Sequence, residues 1–141
     1  MAEFKLCISD PKSGKTYQKE VKDNEAAAFV GKNLGEQIKG EVFDLTGYEF
    51  LITGGSDKSG IPMRKGIMGL RKRLTLLGGV GLRKGLEKGI KKKKTVCGHK
   101  INPNISQINL KVAKEGSKTL DSIFGKEEKQ EQKEAPKEKK E

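Results

Sequence analysis

A chain of 141 residues is long enough for one domain with a single hydrophobic core and short for two. Apolar residues make up 33% of it and charged residues 35%, against the usual ~45–50% and ~25%, so the core is small for the length and part of the chain stays unburied. Thirty Lys and Arg against 19 Asp and Glu give a net +11, which favours a polyanionic partner, nucleic acid or an anionic membrane surface; no run reaches the ~18 apolar residues of a spanning helix.

In chain order, Met1 to Leu6 lacks the basic region and apolar run of a secretory leader, so the cytoplasm is expected. Phe4, Leu6 and Ile8 alternate with polar residues and predict a half-buried strand. Asp10-Pro11-Lys12-Ser13-Gly14 turns the chain into a second strand, Thr16 to Val21, with Tyr17, Lys19 and Val21 on one side. Asp23 or Asn24 can cap a short helix through Val30. Tyr48, Phe50 and Ile52 alternate again, as do Leu74 with Leu76, and Ile108, Leu110 and Val112. Two long connections, Gly54 to Leu70 and Gly78 to Lys94, are rich in Gly and cations and belong on the surface. Lys126 to Glu141 holds no residue that could fill a core and reads as a disordered, functionally silent tail. The expected fold is mainly β, a small, mostly antiparallel barrel-like domain over residues 1–125 with one short helix, long basic loops and the tail 126–141.

Several motifs resemble chemistry that their surroundings do not support. Ser13-Gly14-Lys15-Thr16 has the end of a phosphate-binding loop, but the leading Gly is Ser9, Pro11 removes a backbone donor, and an alternating segment follows where a helix is needed. A hairpin turn is the better reading. Gly79-Val80-Gly81 continues to Gly85 one residue too late for a dinucleotide loop; glycines among cations instead suit close approach of backbone to phosphate. Cys97-Gly98-His99 has no orienting third group, so it reads as a strand end with a His available to phosphate or base. Cys7 and Cys97 are expected to be reduced thiols, and neither anchors zinc alone. Without a leader, the sequon Asn104-Ile105-Ser106 carries no glycan. No catalytic residue, metal, cofactor, small-molecule substrate or membrane contact is expected.

The charge is concentrated. Residues 1–53 carry 7 Lys and 9 acids, whereas residues 54–100 carry 14 Lys and Arg against Asp57 and Glu87; the rest is nearly balanced. Such a distribution predicts a binding face rather than a solubilising cloud. The candidate RNA-binding residues are Lys58, Arg64, Lys65, Arg71, Lys72, Arg73, Arg83, Lys84, Lys88, Lys91, Lys92, Lys93, Lys94, His99 and Lys100. Aromatic residues are scarce, which argues against stacking on single strands and for a structured RNA read by shape and phosphate.

Over residues 3 to 124 the chain resembles the archaeal and eukaryotic e-type family of small-subunit ribosomal protein six. The matching segments are LCISDPKSGKTYQKEV from Leu6, GGSDKSGIPMRKG from Gly54, RKRLTLLGGVG from Arg71 and KKKKTVCGHKINPNISQINLKVAKEG from Lys91. The resemblance implies a β-barrel domain in the body of the small ribosomal subunit, holding ribosomal RNA and neighbouring ribosomal proteins without catalysis. The chain departs from the family pattern in using Lys where relatives usually place Arg, and in having Cys97 at a position expected to be cationic, so fewer bidentate phosphate contacts follow. Eukaryotic relatives carry a basic C-terminal helix with phosphorylated serines; here the last hydroxyl residue is Ser122, so that regulation is not expected. The alternative reading is a free-standing regulatory RNA-binding module.

Overall fold

Strict alternation builds the main sheet. In the computed structural model, which describes residues 3–82, 89–116 and 119–124, β1 (Glu3–Ser9) pairs antiparallel with β2 (Thr16–Lys22) and parallel with β7 (Ile105–Lys114). On the other side of β7 lies β4 (Glu49–Asp57), and β3 (Gln37–Lys39) pairs with β4 at the edge, giving the order β2-β1-β7-β4-β3. The register sets Phe4 opposite Val21, Leu6 beside Ile108, Ile8 beside Leu110 and Phe50 beside Val112. Because side chains alternate across a strand, these pairs gather on one face, where Phe4, Leu6, Ile8, Phe50, Ile52, Ile108 and Leu110 are at most 1% exposed.

That face is closed by α1 (Asp23–Ala27), by the 3₁₀ turn Gly40–Phe43, and by the helical turn 120–124. Phe29, Phe43, Phe50 and Tyr48 form a continuous aromatic row, with ring centroids 5.3–5.7 Å apart. Phe124 stacks on Tyr17 at 5.1 Å, while Asp121 accepts hydrogen bonds from Lys15 Nζ and the Tyr17 hydroxyl, both at 2.8 Å. All five Phe of the chain are thereby buried in the core.

The second sheet is a two-stranded ribbon, β5 (Arg71–Leu76) with β6 (Lys92–Cys97). Such a ribbon is marginal alone and needs an anchor. Its own small cluster is Ile67, Leu76 and Val96, and Cys97, from the opposite face of β6, reaches the main core. Met63 bridges the two sheets: its N–H donates to Gly55 O at 2.9 Å, and it lies beside Cys97. Gly98 permits the closest approach, since a Cβ there would lie 1.9 Å from Gly69 O.

The mainly β class and the predominance of antiparallel pairing agree with the sequence reading. Four of its details differ. The strands do not close into a barrel: β2 and β3 remain edges of an open sheet. The helix ends at Ala27 rather than Val30, and its N-cap is Lys22 with no side-chain cap, not Asp23 or Asn24. A second helical turn, 120–124, is present. Finally, the expected surface connections are partly strand, because β4 runs on through Gly54 to Asp57 and β6 begins at Lys92. The tail 126–141 lies outside the described residues.

Candidate nucleic-acid interface

The two cationic runs of the sequence meet on the ribbon. The β5–β6 register places Arg71 opposite Cys97, Lys72 opposite Val96 and Arg73 opposite Thr95, then Leu74, Thr75 and Leu76 opposite Lys94, Lys93 and Lys92. Every cation of one strand therefore faces an uncharged residue of the other, which avoids the direct like-charge pairs that destabilise sheets. At ~3.4 Å per residue the two clusters are centred about 10 Å apart along the ribbon. Lys92 and Lys94 share the face of Leu74 and Leu76, so their aliphatic stems can cover apolar surface while the ammonium groups stay in water.

Ion pairing is much denser in the first third than on the ribbon, although Lys39 is unpaired among the described residues. In the first third Lys5, Lys12, Lys15, Lys19, Lys22 and Lys32 each have a carboxylate within 4.0 Å. Among the described residues, Lys72, Arg73 and Lys91 to Lys94 have none, and all are exposed. Their charge is uncompensated by any carboxylate among the described residues.

The ribbon is held by a buried acid that sequence reasoning counted only as charge. Asp57 is 4% exposed at the end of β4. Its Oδ2 accepts from Arg71 Nε at 2.7 Å, from Arg71 Nη2 and from Cys97 Sγ at 3.5 Å, while Arg71 Nη2 also donates to Ser59 Oγ at 3.0 Å. Burial works to raise the Asp57 carboxyl, but the hydrogen bonds from Arg71 and Cys97 outweigh it and hold its pKa below the ordinary carboxylate value. Burial, reinforced by the neighbouring carboxylate, pushes the Cys97 thiol up. Both cysteines are free thiols. The signal for Asp57 was its isolation, one of two acids among 14 cations.

The remaining candidates have different placements. Arg64 Nη1 donates to Gly78 O at 3.1 Å and Val80 O at 2.8 Å, so this guanidinium organises the turn after β5. Gly79 lies against it, and a Cβ on Gly81 would lie 2.9 Å from Val96 Cγ1; the close approach these glycines allow is used inside the protein. Lys65, His99 and Lys100 gather near the loop 31–36: Leu34 N–H donates to His99 O, Asn33 bridges to Lys100, and Lys65 Nζ reaches Gly35. His99 Nδ1 donates to Ile67 O at 2.7 Å, which leaves Nε2 as the ring's other polar atom on a half-buried residue. Lys58 is exposed just past β4. Arg83, Lys84 and Lys88 lie outside the described residues.

Two motifs resolve simply. Gly14, at φ 69°, donates its N–H to Asp10 O, and Asp10 N–H donates to Lys15 O, so Gly-Lys-Thr closes the β1–β2 hairpin. Cys97 and His99 bond elsewhere, to Asp57 and Ile67. Among the described residues there is no group of His, Cys, Asp and Glu able to hold a metal, and no helix long and apolar enough to cross a membrane.

The model of the family described as ribosomal protein S6e matches residues 4–125. The chain is 46% identical to the small ribosomal subunit protein eS6 of Methanocella arvoryzae over 93% of its own length and 92% of the relative's. It is 43% identical to the protein of that name in Methanoregula boonei over 99% and 98%, and 47% identical to that of Archaeoglobus fulgidus over 89% and 98%. With a family model spanning nearly the whole described region and archaeal relatives matched end to end, the chain belongs to the ribosomal protein S6e family.

Proposed function

We propose that this chain is a structural component of the small ribosomal subunit, in the cytoplasm, and that it binds and stabilises ribosomal RNA through the β5–β6 ribbon and the basic loops beside it. The small-subunit role follows from the family, whose members are structural and not enzymes. The observation that supports the RNA role is the contrast in pairing: six of the seven lysines among residues 1–53 lie within 4.0 Å of a carboxylate, Lys39 being the exception, and the lysines of the ribbon do not. Phosphates supply the missing counter-charge. Every Phe lies in the core and both Tyr stack on Phe, so the surface reads backbone and shape rather than stacked single strands. Neighbouring ribosomal proteins are the other contacts this role entails.

Sedimentation of a cell extract tests the role. The protein should travel almost wholly with small subunits; a pool at the top of the gradient would support a free-standing regulatory module instead. For the interface, replacing Lys92, Lys93 and Lys94 with Gln should weaken binding to small-subunit RNA by at least about tenfold at moderate salt while leaving the folded signal unchanged. Undiminished affinity would remove the ribbon from the interface.

A further inference from the structure

Where the two sheets meet, the end of β4, the start of β5 and the entry to β7 enclose a solvent-open cavity of about 520 Å³ lined by Asp57, Lys58, Leu70, Arg71, Asn102 and Asn104. We propose that this cleft receives one unstacked nucleotide of the RNA held by the ribbon, a claim that rests on the RNA-binding reading and adds a base-recognising site to it. The volume lies within the ~300–1,000 Å³ of small-ligand sites, and the lining combines one apolar wall with a few polar groups.

Each lining group has a chemical part. Arg71 is fixed through Nε and Nη2 to Asp57 and Ser59, which immobilises the guanidinium plane and offsets much of its charge. A fixed guanidinium plane is a stacking surface for a base, the alternative to an aromatic ring where every Phe is used in the core. Leu70, 59% exposed, supplies an apolar surface in the same cleft. Asn102 Oδ1 accepts from Asn104 N–H at 3.0 Å, so its amide nitrogen is left to donate; the Asn104 amide, on an exposed residue, can both donate and accept. Lys58, unpaired among the described residues, is a point charge for the attached phosphate.

The walls are tied together before any ligand arrives. Lys58 N–H donates to Asn104 O at 3.2 Å, Asp57 N–H to Ile61 O at 2.9 Å, Gly98 N–H to Leu70 O at 3.1 Å and Ile105 N–H to Asn102 O at 3.1 Å. A preformed cleft of this kind binds without ordering its own loops.

The test uses the full chain assembled into small subunits and ultraviolet crosslinking, with adducts located by mass spectrometry. A nucleotide adduct on Lys58, Leu70, Asn102 or Asn104 is expected, and Asn104→Ala and Lys58→Gln should each lower its yield by about fivefold while leaving adducts on Lys92 to Lys94 unchanged. Both positions are exposed, so folding is not at stake. Arg71→Lys, which keeps the charge and removes the plane, should lower the yield as well. Adducts on the ribbon with none in the cleft would overturn the proposal and leave the RNA reading intact; adducts on neither would overturn both. A second arm titrates the isolated protein with AMP and UMP: saturation by a free mononucleotide at micromolar concentration would assign the cleft to a diffusible nucleotide and overturn the proposal.

Discussion

Asp57 carries the junction between the sheets. Its folded pKa lies below the ordinary carboxylate value, so the stability it contributes is complete above about pH 4 and is lost as the pH falls through the folded value. Asp57→Ala should cost about 2 kcal/mol, the range of hydrogen bonds to charged groups, reduced because the Arg71 side chain is half exposed. Asp57→Asn should flatten the acid limb of a stability-against-pH curve; an unchanged limb would show that the pair contributes nothing. The adjacent thiol is buried and its pKa raised, whereas Cys7 is half buried, so a thiol reagent at neutral pH should modify Cys7 first and reach Cys97 only as the protein unfolds. Gly98→Ala tests the same junction sterically. The added Cβ would meet Gly69 O and Ile67 O, backbone atoms that cannot swing aside, and a loss of roughly 1–3 kcal/mol or more should appear in urea unfolding.

The ribbon and the main sheet differ in how they declare themselves. The strands β1, β2, β4 and β7 read directly from alternation because one face is buried, and period 2 in hydropathy is then forced. In β6, Lys92 to Thr95 are all exposed, so nothing apolar marks the period and Lys-Lys-Lys looks like loop. The strand exists because β5 and the Pro62–Arg64 segment supply its partners, contacts about 20 and 35 residues away in sequence that composition does not reveal. β3 is three residues long, below the window in which alternation can be counted. Closure is illegible in the sequence for a related reason: alternation marks the strands but not the pairing that leaves β2 and β3 as edges. In the site, the cations were legible as a cluster, while Asp57, the internal partners of Arg64 and the cleft depend on tertiary placement. The helical turn 120–124 gives a prediction at this scale. Phe124→Ala removes the ring stacked on Tyr17 and should cost about 3 kcal/mol, at the low end for a buried Phe because the turn lies at the margin of the core. A loss below 0.5 kcal/mol in thermal unfolding would detach that turn from the fold.

For the molecule as a whole, the question is whether +11 acts as a diffuse field or through one face. Counter-ion release separates the two, because only cations in contact with phosphate contribute to the salt slope of binding. Converting Lys91, Lys92, Lys93 and Lys94 to Gln should lower the log-log slope for small-subunit RNA by roughly 0.7 to 0.9 units per lost contact, borrowing the single-strand and duplex DNA values. The control must remove the same charge elsewhere without loosening the fold. Lys19 is unsuitable, since its Nζ donates to Phe43 O at 2.9 Å and its side chain is only 19% exposed. Lys5, Lys12 and Lys22 are exposed, the side chain of Lys32 is 45% exposed, and each lies within 4.0 Å of a carboxylate, so their conversion frees an acid as well as removing a cation. If charge acted through the net field alone, the control set would reduce affinity as much as the ribbon set, because each removes four charges. The localised interface predicts that the control slope stays within about one unit of the unmodified protein's, less than two lost contacts, while the ribbon set loses several. Equal slopes for the two sets would mean that the ribbon is one patch of a uniformly attractive surface, and the assignment of β5 and β6 to the RNA would have to be withdrawn.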